Sequence, residues 1–298
     1  MKIIVFGGSG FIGSHVADIL TESGHEVRIF DLEPSPYFKA NQEMITGDIL
    51  DEQKVNKAVE DCDYIYHFAG IADLDDARTK SLETVTQNIK GTAVLLGAAR
   101  RIRAKRFVFA STVYVYSDRG GFYRCSKQAA ELYVEEYQRH YGLDYTILRY
   151  GSVYGPRADH RNSVYKYLKQ AMEEGKIEIC ANGEEMREYI HVRDAARLSV
   201  EALSEKHRNQ HIIITGHHPM KFRDFLYTIK EILGNKVKIE FKEVIPNSPH
   251  YNLTPYSFIP KIGYKLTANH YLDMGQGLLE CIDEIHSFNQ IKEAVKNA

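Results

Sequence analysis

Two residues that could move a proton together stand at positions 123 and 127. Tyr123 and Lys127 open a segment with helical character, so both side chains would lie on one face of a helix. A phenol is a poor base because its ordinary pKa is about 10, and a neighbouring ammonium group lowers that pKa by favouring the phenolate. The spacing therefore predicts a pair that removes a proton from a hydroxyl group. In a chain with 20 tyrosines, the same spacing also fits an ordinary helix.

A hydroxyl group that could assist this pair lies at the end of the preceding predicted strand. Ser111 and Thr112 follow the apolar run 106–110, which has the character of a buried strand. A hydroxyl at that strand end can hydrogen-bond the substrate oxygen that Tyr123 deprotonates. The residue types alone leave both side chains as candidates.

A glycine-rich turn near the start of the chain indicates a dinucleotide site. The run 7–13 follows an apolar strand pattern and precedes a helical one, which is the context in which such spacing is informative. Gly7 allows the tight turn, Gly10 lets a pyrophosphate approach the backbone, and Gly13 lets the helix pack closely on the strand. The helix N-terminus would face the phosphates. An ordinary strand-to-helix turn is the alternative.

An acidic residue at the end of the next predicted strand indicates which dinucleotide is bound. Asp31 stands where a carboxylate can accept hydrogen bonds from the adenosine ribose hydroxyls, and it would repel a 2′-phosphate. We therefore predict NAD rather than NADP, with a solvated turn aspartate as the alternative. Tyr123 would then deprotonate a sugar hydroxyl while a hydride leaves the same carbon for nicotinamide.

These residues need a scaffold that gathers strand ends at one edge, and the alternating pattern of the chain predicts one. Expected strands cover residues 2–6, 26–30, 43–45, 63–68, 106–110 and 145–149, and expected helices cover residues 12–23, 51–60, 81–101 and 123–141. Alternation of this kind predicts an α/β fold, a Rossmann-type doubly wound parallel sheet with helices on both faces. Ligands bind such sheets at the carboxyl ends of the strands.

The domain organisation follows from where this alternation stops. After about residue 150 the pattern becomes irregular, and it resumes with a helix near 193–204 and a strand near 211–215. We predict an NAD-binding Rossmann domain of residues 1–150 plus 190–215. The remainder, residues 151–189 plus 216–298, would form a smaller, mixed α/β substrate-binding domain.

Composition argues against several classes of partner. The chain of 298 residues has a net charge of −2, which gives no electrostatic reason to expect nucleic acid. It has no apolar stretch long enough to cross a membrane, and the first predicted strand starts at Lys2, which leaves no room for a signal peptide. The four cysteines are scattered, which predicts a cytoplasmic protein without disulfides or a metal site.

Short motifs along the first two thirds of the chain form a recognisable set. They are Gly7-Gly8-Ser9-Gly10-Phe11-Ile12-Gly13, Gly47-Asp48-Ile49, His67-Phe68-Ala69-Gly70, Asn88-Ile89-Lys90-Gly91-Thr92, Tyr123 with Lys127, Leu148-Arg149-Tyr150, Val153-Tyr154-Gly155-Pro156-Arg157 and Arg187-Glu188-Tyr189-Ile190-His191-Val192-Arg193-Asp194. As a set they resemble the extended short-chain dehydrogenases/reductases of the NAD-dependent epimerase/dehydratase family, nucleotide-sugar epimerases among them. The resemblance runs from residue 1 to about residue 205.

The resemblance implies roles for single residues. Cofactor contacts are implied for Gly7, Gly10, Phe11, Ile12, Gly13, Asp31, Asp48, Ile49, Phe68, Ala69, Gly70, Asn88, Lys127 and Tyr150. Tyr123, Lys127 and Thr112 would be catalytic, with Ser111 as the alternative hydroxyl. Asn162 and Arg187 would face the pyrophosphate of a nucleotide-sugar substrate, where an arginine offers two-pronged hydrogen bonding. A surface salt bridge is the alternative role for Arg187.

Family members commonly form homodimers by pairing two helices from each subunit, and the resemblance implies the same here. The helices concerned are those expected at 81–101 and 123–141. Both carry apolar residues at helical spacing, including Val94, Leu95, Leu132 and Val134. The alternative is that these residues only cover the sheet of their own chain.

Two departures from the family pattern bear on the reaction. Dehydratases of this family carry an acidic pair directly after the catalytic threonine, whereas this chain has Val113 and Tyr114 there. The segment between Ser117 and Tyr123 is only residues 118–122, where the family has a longer substrate loop. The short segment predicts an open site, a bulky sugar, or cover supplied from elsewhere.

The resemblance and these departures together predict the function. The expected reaction is NAD-dependent oxidation at C4 of a nucleotide-linked sugar, with 4-epimerisation as the net result. A nucleotide-sugar 4-dehydrogenase or ketoreductase would use the same residues and is the alternative. A 4,6-dehydratase is disfavoured by Val113 and Tyr114, and a non-catalytic NAD-binding protein by the intact Tyr123 and Lys127.

Overall fold

The structure, a computed structural model, describes residues 1–242 of the chain. Twelve β-strands are present in these residues. They are β1 Lys2–Phe6, β2 Glu26–Asp31, β3 Gln42–Thr46, β4 Tyr64–His67, β5 Arg106–Thr112, β6 Tyr145–Tyr150, β7 Ser152–Tyr154, β8 Lys176–Ile179, β9 Met186–His191, β10 Gln210–Ile214, β11 Pro219–Lys221 and β12 Lys238–Phe241. Seven of them form one parallel sheet in the order β10-β6-β5-β4-β1-β2-β3. The predicted fold class, a doubly wound parallel sheet, is confirmed.

Helices connect these strands and cover the sheet. They are α1 Phe11–Glu22, α2 Glu52–Ala58, α3 Leu74–Thr79, α4 Ser81–Thr84, α5 Gly91–Arg101, α6 Gly121–Tyr141, α7 Ser163–Glu174, α8 Val192–Glu201 and α9 Phe222–Ile232. The helix expected at 81–101 is not continuous, because the π-helix Val85–Lys90 separates α4 from α5. Helices α3, α7 and α9 were not expected from the sequence.

The large sheet is buried on both faces, which explains its nearly continuous apolar strands. In β1, Ile3 and Val5 belong to a core that includes residues of α1 and α8, while Ile4 and Phe6 belong to a core on the other face with residues of α2, α5 and α6. Alternate side chains of a strand point to opposite faces, so a single strand contributes to both layers. The carboxyl ends of the strands are thereby held at one fixed edge.

Two smaller sheets follow the first six strands. One has the order β11-β9-β7 and the other pairs β12 with β8. A third apolar cluster joins α7 and α9 to β8 through Ala171, Ile177 and Leu226. Helix α8 and strand β10 are present near their expected positions, and β10 extends the large sheet beside β6. Cys281 and residues 243–298 of the predicted substrate-binding domain lie outside the described residues.

Candidate active site

The glycine turn after β1 leaves no room for side chains at two positions. Gly7 has φ +78°, and a Cβ atom there would lie 2.4 Å from the Ala69 backbone nitrogen. A Cβ atom at Gly13 would lie 2.2 Å from the Gly7 carbonyl oxygen, so α1 packs directly on the turn. Gly10 is the residue directly before α1, and a Cβ atom there would lie 3.3 Å from the Gly7 carbonyl oxygen. Backbone N–H groups at the start of this helix can therefore be approached by an anion.

The carboxylate of Asp31 is held beside this turn. Its Oδ2 atom accepts a hydrogen bond from the Ser9 backbone N–H at 2.8 Å, and its Oδ1 atom accepts one from the Leu32 N–H at 2.8 Å. The carboxylate therefore lies at the end of β2 next to the glycine turn, as a ribose-binding acid requires. Phe11 and Ile12, in the first turn of α1, are partly buried against the core. These residues fit a dinucleotide.

A second loop lies beside the turn, at the end of β4. The Phe68 ring stacks on Tyr66 with 6.1 Å between ring centroids, and Gly70 adopts φ +133°. Asn88, which the π-helix carries, clamps this loop: its Oδ1 accepts from the Ile71 N–H at 2.8 Å, and its Nδ2 donates to the Ile71 carbonyl and to Ser126 Oγ, each at 2.9 Å. The Asn88 amide thus holds the loop in place through protein contacts.

Three other residues expected at the cofactor also make contacts within the protein. Asp48 Oδ1 accepts a hydrogen bond from the Leu50 N–H at 2.9 Å, and Ile49 is buried in the core. The hydroxyl of Tyr150 lies 2.6 Å from Ser199 Oγ, and burial raises its pKa. The polar end of Tyr150 therefore faces the protein interior, and only its ring remains for a ligand.

The structure brings together the three residues expected to be catalytic. Tyr123 lies in the first turn of α6, and its phenol is hydrogen-bonded to the side chain of Thr112, the last residue of β5. Lys127 is one turn further along α6, and its Nζ donates to the Ala110 carbonyl at 2.8 Å. Lys127 Nζ is also 6.0 Å from the centre of the Tyr123 ring. A hydroxyl, a phenol and an ammonium group thus meet at the carboxyl end of β5.

The expected lowering of the Tyr123 pKa is wrong for the structure described. Burial raises the pKa of Tyr123 to about 12, and the hydrogen bond with Thr112 opposes that rise only in part. Burial also lowers the pKa of Lys127 to about 8, because a desolvated ammonium group is unfavourable. The ammonium group donates to Ala110, so it does not act mainly on the phenol.

The two candidate hydroxyls of β5 have different partners on α6. Ser111 Oγ donates to Glu131 Oε1 at 2.5 Å and is buried, whereas Thr112 reaches Tyr123. The two partners lie two helical turns apart, so the two hydroxyls meet different parts of the same helix. The geometry favours Thr112 over Ser111 as the hydroxyl that shares a substrate oxygen with Tyr123.

Val113 and Tyr114, the two residues after Thr112, begin a short 3-10 helix that spans Val113–Tyr116. Val113 is fully buried, while the Tyr114 ring packs edge-on against Tyr123 with 6.5 Å between centroids. Gly120, at φ +91°, lies so close that a Cβ atom would be 2.8 Å from Tyr114 Cδ1. The short segment 118–122 therefore folds against Tyr114, which lies next to the Tyr123 phenol.

The residues expected at the substrate pyrophosphate lie on separate elements. Asn162 caps α7, with Oδ1 accepting from the Val164 and Tyr165 N–H groups and Nδ2 donating to the Val153 carbonyl at 2.9 Å. Arg187 lies on β9, with its guanidinium carbon 5.6 Å from the centre of the Phe222 ring. The amide of Asn162 is therefore engaged in positioning α7 on β7.

Residues 1–242 hold neither a metal-binding cluster nor a helix that could span a membrane. They contain no group of three or more His, Cys, Asp or Glu side chains that could hold a metal ion. No helix in that part of the chain is long and apolar enough to span a membrane.

A glycine turn that fits a dinucleotide follows the first strand of the parallel sheet, and a tyrosine–lysine pair lies beside strand β5. This combination defines a short-chain dehydrogenase/reductase. Within that class the chain belongs to the NAD dependent epimerase/dehydratase family, whose model matches residues 3–216. The protein is therefore an enzyme with NAD as its cofactor.

Named relatives of this chain catalyse different reactions. It is 28% identical over 277 residues to UDP-N-acetyl-alpha-D-glucosaminuronate decarboxylase of Bacillus cytotoxicus, covering 83% of this chain and 85% of the relative. Its structure is similar to UDP-glucose 4-epimerase of Thermotoga maritima solved with UDP-glucose (TM-score 0.79, 28% identity, 87% and 90% of the two chains). It is also similar to UDP-glucuronic acid 4-epimerase of Bacillus cereus solved with UDP-glucuronic acid and NAD (TM-score 0.78, 26% identity, 88% and 95%).

Proposed function

We propose that the protein is an NAD-dependent nucleotide-sugar 4-epimerase. The observation that carries the proposal is the hydrogen bond between Thr112 and Tyr123 one turn from Lys127, in a site with no carboxylate at positions 113 and 114. Reversible oxidation of a sugar hydroxyl needs a residue that takes and returns one proton. It does not need the further acid that expels a leaving group.

Three side chains of the protein would carry out the proton transfer. Tyr123 takes the proton of the C4 hydroxyl and later returns it, and Thr112 hydrogen-bonds the same oxygen so that the proton transfer is in line. Lys127 places a positive charge near the phenolate as it forms. NAD held at the glycine turn and beside Asp31 would supply a reversible acceptor for the C4 hydride. A sugar ketone that turned over before Tyr123 returned the proton would end with its C4 centre inverted.

Similar structures support the choice of epimerisation. The two solved relatives named above are UDP-sugar 4-epimerases, and both cover most of this chain. The decarboxylase relative also supports a nucleotide-linked sugar as substrate. We assign Arg187 to the nucleotide pyrophosphate and the domain of residues 151–189 with residues 216–298 to substrate binding. The amide of Asn162, which caps α7 and binds Val153, has a structural role instead.

A nucleotide-sugar 4-dehydrogenase or ketoreductase is the second candidate. It would use the same Thr112, Tyr123 and Lys127, but release the ketone. The observation that favours it is the short segment 118–122, which leaves Phe122 half exposed next to Tyr123. An open site lets a ketone leave before the hydride is returned.

We also propose a homodimer, formed through α4, α5 and α6. Of the residues expected at this interface, Leu95 and Val134 pack in the core of their own chain, Val94 is partly buried, and Leu132 is 60% exposed. Further large apolar side chains are exposed on the same helices and the adjoining π-helix, namely Leu82, Val85 and Tyr133. Exposed apolar residues of this number support an interface. The free thiols of Cys62, Cys125 and Cys180 support a cytoplasmic location.

The test is incubation of the purified enzyme with UDP-, GDP- and dTDP-linked hexoses, hexuronates and N-acetylhexosamines. We expect one C4 epimer pair to interconvert to the same equilibrium mixture from either side, with no net consumption of NAD. Stoichiometric formation of NADH and a free ketone would favour the dehydrogenase. A product lighter by carbon dioxide would replace the proposal by a decarboxylase. Tyr123→Phe is the matched control, because it keeps the ring and removes the proton-transfer group.

A further inference from the structure

Helix α6 carries a buried carboxylate one turn beyond Lys127. Glu131 is 5% exposed. Its Oε1 atom accepts hydrogen bonds from Ser111 Oγ at 2.5 Å and from Arg149 Nε at 3.0 Å, and its Oε2 atom accepts one from Arg149 Nη2 at 2.5 Å. Arginine and carboxylate thus form a two-pronged pair, a strong and geometrically defined contact. Neither Glu131 nor Arg149 is among the residues proposed to bind the cofactor, bind the substrate or transfer the proton.

Three contacts join one face of α6 to the end of β5. Tyr123, Lys127 and Glu131 lie at successive helical turns on one face of α6, and they bind three consecutive residues of β5: Thr112, Ala110 and Ser111. Residues four apart on a helix lie above one another, so one helix face meets one strand end. The contact of Glu131 therefore belongs to the same interface as the two catalytic contacts.

Arg149 attaches this interface to the next strand. It lies on β6 directly opposite Ser111 in the parallel register. Its guanidinium group lies over the Tyr116 ring, 4.6 Å from the ring centre, and it donates to the Tyr116 hydroxyl. Tyr116 belongs to the 3-10 helix that follows Thr112. The pair of Glu131 and Arg149 thus joins α6, β5, β6 and the segment after the catalytic threonine.

We propose that Glu131 is a positioning residue of the reaction: bound to Ser111 and Arg149, it fixes α6 against β5 so that Tyr123 meets Thr112 and Lys127 meets Ala110. The inference rests on the proposed function for its kinetic consequences. A catalytic group displaced by a fraction of an ångström loses rate, because the reacting atoms must be aligned before proton transfer.

Glu131 also affects the charge of Lys127. Three titratable groups surround this lysine within the described residues, namely Glu131 and Tyr123 from α6 and His67 from β4. Burial lowers the pKa of Lys127, and the Glu131 carboxylate opposes that lowering. His67 is fully buried with its pKa well below the usual value, so it stays neutral. Removing the carboxylate leaves Arg149 as an unpaired cation on β6, which disfavours the ammonium group further.

The experiment compares Glu131→Gln with wild-type protein and with the control Glu135→Gln, one turn further along α6 and outside the site. For Glu131→Gln we expect kcat to fall by about tenfold or more with little change in the sugar KM, and the alkaline limb of the kcat profile to move to lower pH. The Lys127 side chain, observed by NMR with ε-13C-lysine and assigned with Lys127→Met, should titrate at lower pH as well. Glu135→Gln should match wild type in all three measurements.

Unchanged kcat and an unchanged Lys127 titration in Glu131→Gln would overturn the inference. A loss of kcat with no shift of either the kcat–pH profile or the Lys127 titration would also overturn it, because a merely structural residue gives that result. If Glu131→Gln does not fold, Ser111→Ala decides: it keeps the ion pair and removes one contact with β5. We expect it to lower kcat several-fold at constant KM, and wild-type kcat in it would overturn the inference. If wild-type enzyme converts no nucleotide sugar, the proposed function fails, while the Lys127 titration still decides the role of Glu131.

Discussion

The phenol of Tyr123 is hydrogen-bonded to the side chain of Thr112, which joins the start of helix α6 to the end of strand β5. One oxygen of a substrate placed between them would contact both groups. Ser111 is excluded from this contact, because its hydroxyl donates to the carboxylate of Glu131, two turns further along α6. We therefore propose that a proton is transferred where Thr112 and Tyr123 meet.

Replacing Tyr123 by Phe should abolish hydride transfer while NAD binding and folding are kept. The ring volume is unchanged, and only the group that takes the proton is lost. General acid–base groups contribute about 10²- to 10⁴-fold to a rate. We expect a loss in that range for reduction of bound NAD by the nucleotide sugar, measured at 340 nm. Near-normal turnover would show that another residue removes the proton.

Replacing Lys127 by Met should change how stability depends on pH. Burial lowers the pKa of Lys127 from 10.5 to about 8 in the folded protein. Below pH 8 the folded state carries the full cost of a buried ammonium group, and that cost is lost as the pH rises from 8 towards 10.5, since the unfolded chain holds the proton longer. Wild type should therefore gain up to about 3 kcal/mol of unfolding free energy relative to Lys127→Met over this window.

Urea unfolding of both proteins without added cofactor, at intervals from pH 7 to pH 10, measures this difference. Other titrating groups are common to the two proteins and cancel. At pH 7 the Met variant should be no less stable than wild type, although the Ala110 carbonyl loses its donor. A difference in unfolding free energy that stays constant across the window would contradict a lowered pKa for Lys127.

The protein should bind NAD at least about tenfold more tightly than NADP. The Asp31 carboxylate stands at the end of β2, held by the Ser9 and Leu32 N–H groups, where a 2′-phosphate would meet its negative charge. Asp31→Asn keeps an oxygen that can accept a hydrogen bond from Ser9 and removes the negative charge. It should therefore reduce the difference between the affinities for NAD and NADP. Titration calorimetry of protein freed of cofactor measures both affinities. Equal or tighter binding of NADP by wild type would refute the assignment.

The sequence was sufficient for the sheet and the glycine turn, because both depend on local order. Buried parallel strands need continuous apolar runs, and Gly7 and Gly13 are required where backbone segments come within contact distance. The spacing of Tyr123 and Lys127 likewise shows which side chains share a helix face. Helices α7 and α9 were missed because glycines and prolines around them resemble irregular structure.

The remaining features of the site depend on contacts between distant segments. The pairing of Glu131 with Arg149 arises because α6 packs on the strand pair β5 and β6, which no local pattern encodes. The raised pKa of Tyr123 follows from its burial, and burial is a property of the assembled fold. The π-helix that carries Asn88 would also have been hard to foresee, since the run 81–101 has ordinary helical periodicity.

Replacing Leu132 by Arg should convert a homodimer into a monomer. Leu132 is 60% exposed on α6, so a charge there costs little in an isolated chain and much in an apolar interface. Leu198→Arg is the matched control, because Leu198 is 41% exposed on α8, which covers the opposite face of the sheet. Sedimentation equilibrium should give a dimer for wild type and for the control. A wild-type monomer mass at every concentration would exclude the proposed dimer.

The product of the reaction should keep the mass of the substrate, as an epimer does, or be two hydrogens lighter, as a ketone is. Elimination of the C6 hydroxyl needs a group that protonates the leaving oxygen. Val113 is a buried hydrocarbon, and Tyr114, packed edge-on against Tyr123, carries a phenol where a carboxyl group would be needed. Mass spectrometry of the nucleotide sugar after incubation measures the outcome, with Tyr114→Phe as the control that should give the same product mass. A product lighter by one water from wild type would contradict the assignment, and its absence from Tyr114→Phe would then identify Tyr114 as the acid.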